Sequence, residues 1–122
     1  CRAHLVTAVC GLPSVILSPT GVSLATTTNY FDFVSSTVNL DCQVAHLDFN
    51  WEGLRGLKEK YGSAVRIDDP GYLASVLVTS ESEKVSSGEM VDEFGIELLD
   101  DYMARSIAHR QDARNAEPEP VM

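Results

Sequence analysis

Residues Ser14-Val15-Ile16-Leu17-Ser18-Pro19-Thr20-Gly21-Val22-Ser23-Leu24-Ala25-Thr26-Thr27-Thr28 set β-branched and apolar residues against small polar ones, with Pro19-Thr20-Gly21 at the centre. β-branched residues favour the pleated backbone and Pro-x-Gly supplies a tight turn, so the stretch predicts a β-hairpin. Beyond the polar gap 29–32, Phe33-Val34-Ser35-Ser36-Thr37-Val38-Asn39-Leu40-Asp41 reads as a third strand. Three neighbouring strands make a sheet.

On the N-terminal side, Ala3-His4-Leu5-Val6-Thr7-Ala8-Val9-Cys10 is apolar enough for a buried central strand, ended by Gly11-Leu12-Pro13. A nucleophile-base pair of Cys10 and His4 is the functional reading of this run. A small hydrophobe and a satisfied imidazole inside an apolar strand is the better one. Residue 1 is Cys and the composition is already that of a strand interior, so the chain is expected to be part of something longer.

On the C-terminal side the period changes from two to nearly four over residues 48–61. Asp48 or Asn50 is placed to cap, Trp51, Leu54, Leu57, Lys58 and Tyr61 share one side, and Gly62 stops the helix. Trp51, the only tryptophan, is expected to be a core anchor rather than a stacking platform for a ligand. Residues 64–68 form a short alternating strand, Asp69-Pro70-Gly71 a turn, and residues 72–79 a strand apolar on both faces. Asp68 and Asp69 suggest a metal pair, but without a third ligand nearby they read as turn formers.

Ser86-Ser87-Gly88-Glu89 has the Ser-x-x-Glu spacing of a capping box. The helix it announces carries Phe94, Leu98, Tyr102 and Ile107 in a stripe, with Gly95 as the point where it splits in two. From Gln111 to Met122 the composition turns polar and rich in Glu-Pro, as in a frayed tail.

Composition narrows the function classes. With 122 residues there is room for one core, and 44% hydrophobic against 22% charged residues is ordinary for a globular chain. Eighteen acidic and nine basic residues give a formal charge of -9, which repels a phosphate backbone and disfavours nucleic acid. Cys1, Cys10 and Cys42 form no Cys-x-x-Cys pair, which points away from a disulfide framework or a zinc site and towards a reducing, cytoplasmic setting. The longest apolar run, residues 5–12, is too short for a membrane span.

The run Ser14-x-Ile16-x-x-Pro19-x-Gly21-x-x-Leu24-Ala25 followed by Val34-x-x-x-Val38-x-Leu40-Asp41 resembles the corresponding stretch of the nitrilase (carbon-nitrogen hydrolase) superfamily. Glu93-Phe94-Gly95-Ile96, continuing to Asp101-Tyr102-Met103-Ala104-Arg105-Ser106, is similar to a C-terminal extension on some bacterial members. The resemblance implies an α/β (α+β) fold. The chain would be the C-terminal part of a four-layer αββα sandwich, mainly antiparallel strands with two helices.

It further implies hydrolysis of non-peptide C–N bonds in amides, nitriles or carbamoyl compounds. That chemistry uses a Cys nucleophile, a Glu base and a Lys that stabilises the tetrahedral intermediate. All three lie upstream of the matching segment. Cys1 and Cys10 stand outside the strand-to-helix elbow that carries the nucleophile, so no residue of this chain takes a catalytic, cofactor or metal role by carry-over.

The organisation expected is a carbon-nitrogen hydrolase-like part over residues 1–80, a helical extension over 81–110 and a disordered tail over 111–122. Expected partners are a small amide or nitrile substrate only in a complete protein, and a second copy through the C-terminal helix. No nucleic acid, membrane or cofactor is expected. The alternative is a stand-alone, non-catalytic interaction module burying Phe94, Leu98 and Tyr102 against another protein.

Overall fold

In the computed structural model, which describes residues 3–8, 13–71 and 74–116, the chain forms six strands and three α-helices. They are β1 (Leu5–Val6), β2 (Val15–Leu17), β3 (Ser23–Thr26), β4 (Cys42–His46), α1 (Trp51–Tyr61), β5 (Val65–Asp68), β6 (Ser75–Ser80), α2 (Ser87–Glu93) and α3 (Leu99–Ala116). The strands make two antiparallel sheets, ordered β1-β2-β3 and β4-β6-β5, in a mixed α+β fold.

The predicted hairpin is present. Ile16 pairs with Ala25, and across the turn the Val22 carbonyl accepts from the Ser18 N–H at 2.8 Å while the Ser18 hydroxyl accepts from the Val22 N–H at 3.1 Å. Its third strand, however, is β1 rather than residues 33–41. That segment is irregular, with Phe33 and Leu40 exposed, because Asn39 turns its side chain onto the backbone: Oδ1 accepts from Asp41 N–H at 2.9 Å and Nδ2 donates to the Ser80 carbonyl at 2.7 Å. The strand follows at β4, a run not singled out in the sequence.

The expected buried central strand over 3–10 is corrected too. Among the described residues of this run only Leu5–Val6 form a strand, at a sheet edge, and Val6 is 69% exposed. Val9 and Cys10 lie outside the described residues.

The larger sheet carries the core. β6 is its centre, and five of its six residues are buried, as its apolar run on both faces requires. One face, with Ala45, Val65, Val76 and Val78, packs on Leu54 and Leu57 of α1 and Met90 and Val91 of α2. Each such fully buried aliphatic side chain contributes about 1.5–3 kcal/mol. The other face turns Val44, Leu77 and Thr79 towards the smaller sheet. The two sheets line common cavities, one of about 480 Å³ bordered by Ser18, Leu24, Arg66, Leu77 and Thr79, and one of about 300 Å³ bordered by Leu5, Leu17 and Val44.

Two pairs of contacts explain glycines in and after helices. Gly53 and Gly56 let α1 approach the α2–α3 link: a Cβ would lie 3.1 Å from the Phe94 carbonyl oxygen at Gly53 and 3.0 Å from the Phe94 ring at Gly56. Gly95, at φ +62, takes the left-handed turn that separates α2 from α3, so the stripe expected on one long helix is divided between two. Among the described residues the α-helices therefore number three: the resemblance implies two, and the split at Gly95 adds the third. The capping box forms in full, with the Ser86 hydroxyl accepting from Glu89 N–H and the Glu89 carboxylate from Ser86 N–H. α3 continues to Ala116, past the Gln111 where the composition turns tail-like; residues 117–122 lie outside the described residues.

Candidate functional site

The densest polar arrangement lies where the C-terminal end of β4 meets the first turns of α1 and α3. Asn50, only 4% exposed, does not cap α1 with its side chain as the sequence suggests. Its Nδ2 donates to the carbonyls of His46 at 2.5 Å and Glu97 at 2.8 Å, and its Oδ1 accepts from Glu97 N–H at 2.9 Å. One buried amide thus joins the strand to the α2–α3 link, and all of its bonds run to backbone.

The His46 ring stacks on Tyr102 with centroids 3.8 Å apart and planes 8° from parallel. His46 Nδ1 accepts from the Asp48 N–H at 3.1 Å and also lies 3.9 Å from the Asp48 carboxylate. The Arg105 guanidinium lies 5.4 Å from the Tyr102 ring centre and grips Glu97 with two bonds of 3.0 and 3.1 Å. That grip holds the Glu97 carboxyl below the usual carboxylate range and Arg105 above its own.

Between His46 and Asn50 the chain passes through Phe49, whose φ of 66° is one a bulky aromatic adopts at a cost. The Asn50 bonds on one side and the His46–Asp48 bond on the other hold it there, with the ring 90% exposed.

The remaining residues singled out in the sequence are not gathered into one place. His4 borders the larger inter-sheet cavity, whereas Cys1 and Cys10 lie outside the described residues, so no nucleophile-base pair is placed. Cys42 is half-buried; burial first, then the Asp41 carboxylate, push its thiol up, which keeps it protonated and poorly nucleophilic. Asp69 bonds the Gly71 N–H within its turn at 2.8 Å, as a turn former does, whereas Asp68 ends β5 and pairs with Arg66 instead. Among the described residues no group of three His, Cys, Asp or Glu side chains is placed to hold a metal.

Trp51 is a correction. It sits at the first position of α1, 67% exposed, because α1 meets the sheet through Leu54 and Leu57, a turn further on. Its indole forms a wall of an apolar groove of about 350 Å³. On the far end of α1, Glu93 accepts from Lys60 Nζ and Tyr61 Oη and so joins α1 to α2. The Lys60 bond, then the Tyr61 bond, lower the Glu93 carboxyl, while Lys60 and Tyr61 are both raised by Glu93. Among the described residues no thiol or serine hydroxyl is bonded to this trio, which ties helices together.

The stripe Phe94, Leu98 and Tyr102, offered by the sequence to a partner, turns inward instead. Phe94 and Leu98 pack against the core, and Leu98 bridges to Ala45. What α3 leaves outward is Met103 and Ile107, each 54% exposed, and no residue of α3 is buried.

The bridging role of Asn50 and the His46–Tyr102 stack went unread in the sequence. The signal available was a polar residue immediately before α1 and a histidine closing an apolar strand, both of which have commoner explanations as a cap and a surface imidazole. No described helix is long and apolar enough to cross a membrane. Comparison with protein-family models, with curated proteins and with solved structures found no match. The nitrilase resemblance therefore rests on the quoted motifs alone.

Proposed function

We propose that this chain is the C-terminal part of a nitrilase-superfamily hydrolase acting on non-peptide C–N bonds, and that the segment serves structure rather than chemistry. The observation that supports the reading is the layer order. Helices α1 and α2 cover one face of the larger sheet and the smaller sheet lies towards the other, a sequence of helix, sheet and sheet found within a four-layer αββα sandwich. The exposed Val6 and Leu24 of the smaller sheet are then where a further layer would rest. On this reading the nucleophile, base and lysine are contributed from elsewhere in a longer protein, which works in the cytoplasm without an organic cofactor and assembles with a second copy through α3.

The test is the intact mass of the protein in its source, detected with an antibody to residues 88–110, followed by ammonia release from simple amides. A mass well above 13.3 kDa with amidase activity is the expected result. A mass equal to the chain, or a longer protein inert on amides and nitriles, overturns it.

A second reading, a non-catalytic interaction module, is favoured by the outward face of α3 alone. It predicts that Ile107→Asp abolishes capture of a partner protein while the fold persists. Unchanged capture would remove it.

A further inference from the structure

We propose that the groove beside Trp51 binds a small aromatic carboxylate. The groove lies between α1 and the larger sheet. Leu47, Leu54, Ile67 and Val76 form its floor and Trp51 one wall, so carbon lines nearly all of it. Its volume of about 350 Å³ is at the small end of the roughly 300–1,000 Å³ of ligand pockets, which suits a one-ring ligand.

Two features set the class of ligand. The first is the indole. It is two-thirds exposed at the start of a helix whose other apolar residues are buried, and an exposed aromatic face over an aliphatic floor favours a flat ring that stacks on one and packs on the other.

The second is charge. Trp51, Arg55 and Lys58 recur at i, i+4 and i+7 and so follow one another along the same side of α1, and both basic residues line an otherwise apolar groove. Lys58 Nζ donates to the carbonyls of Gly62 at 2.9 Å and Val65 at 2.8 Å, which fixes the ammonium in place without neutralising it. Arg55 holds Glu59 only through an exposed i, i+4 contact of 3.2 Å, a weak pair that a ligand carboxylate can displace. Across the groove Asp69 is the single acid, and it is engaged by its own turn through Gly71 N–H. An anion is drawn to the α1 rim and its ring to the indole.

The chain contains one tryptophan, so the emission of Trp51 reads the site directly. The experiment titrates the full chain with phenylacetate and with the isosteric neutral phenylacetamide, and repeats both on Arg55→Gln. The expected result is saturable quenching by the acid, with affinity for the acid about two- to fivefold higher than for the amide, and loss of that preference in Arg55→Gln. Lys58 is left intact because it caps α1. Linear, non-saturating quenching overturns the proposal, as does equal binding of acid and amide. So does quenching that disappears as the chain self-associates in sedimentation, which would assign the groove to a second copy. None of these outcomes depends on the hydrolase reading.

Discussion

The two sheets have three strands each and the same antiparallel pairing, yet one is the core and the other is close to a surface ribbon. In the larger sheet, central β6 has five buried residues out of six; in the smaller, β3 has none out of four. The difference lies in what stands on the faces. α1 and α2 place Leu54, Leu57, Met90 and Val91 on the larger sheet, and the buried cluster they form there includes no described residue of the smaller. Backbone pairing satisfies hydrogen bonds, but it is the covering layer that removes apolar surface from water.

The sharpest way to break this contrast is one substitution in each region. Leu57, fully buried, is expected to cost about 2–5 kcal/mol when changed to Ala, because the cavity adds to the lost transfer energy. Leu24, 42% exposed, should cost no more than about 0.5–1 kcal/mol by the same change. Urea denaturation of both variants measures it. Equal losses would mean that the smaller sheet is buried by something else, such as a further layer or a second copy.

Asn50→Ala comes next. It strands the Glu97 N–H and the carbonyls of His46 and Glu97, and an expected loss of about 2–3 kcal/mol follows from leaving buried backbone groups unpaired. The Glu97 amide should then exchange its hydrogen faster than the amides of β6. If exchange there is unchanged, α3 is held by the Tyr102 stack and the Arg105 grip without the buried amide.

Where the chain pairs an apolar stripe with local stop signals, sequence and structure agree. The hairpin about Pro19-Thr20-Gly21, the α1 boundary at Gly62, the capping box at Ser86 and the break at Gly95 are all local geometry, set within a few residues. The disagreements are all matters of what lies opposite. Residues 3–8 and Trp51 are apolar enough to be buried, but burial needs a facing layer, and Leu5, Val6 and the indole stay exposed. Residues 33–41 have a strand composition, but Asn39 spends its amide on Ser80 and Asp41. The junction at Asn50 joins residues nearly fifty positions apart, and no window of sequence shows it. Of the candidate site, the helical spacing puts Trp51 and Lys58 on one side of α1 but sets Arg55 elsewhere, and it reads the exposed Trp51 as a core anchor.

A smaller effect tests the space between the sheets. Thr79 is buried at 1% exposure and its hydroxyl has no hydrogen-bond partner among the described residues. Thr79→Val keeps the shape and removes the orphan, so a gain of about 1 kcal/mol is expected in thermal or urea unfolding. A loss instead would show that the hydroxyl is satisfied, by a water in the cavity it borders.

The smallest effect is electrostatic, and it separates the regions by pH. Glu93, bonded by Lys60 and then Tyr61, and Glu97, bonded by Arg105, both have carboxyls below the usual range. A folded-state value below the unfolded one, about 4.3 for Glu, contributes stability that is present above the unfolded value and is lost as pH falls through the folded one. Unfolding midpoints should therefore be level from neutral pH to about 5 and decline below about 4. Lys60 and Tyr61 are raised, so their contribution is present below the unfolded values near 10 and disappears as pH rises through the folded ones. Both ties are exposed and will be screened by salt. Each acts on helices rather than on the smaller sheet, so acid should release α3 first, by freeing Arg105. Glu97→Gln should reproduce that release at neutral pH, read as faster amide exchange in the first turns of α3 with the exchange of β2 and β3 unmoved. If β2 and β3 respond equally, the two regions unfold as one unit and the contrast between them is one of burial only.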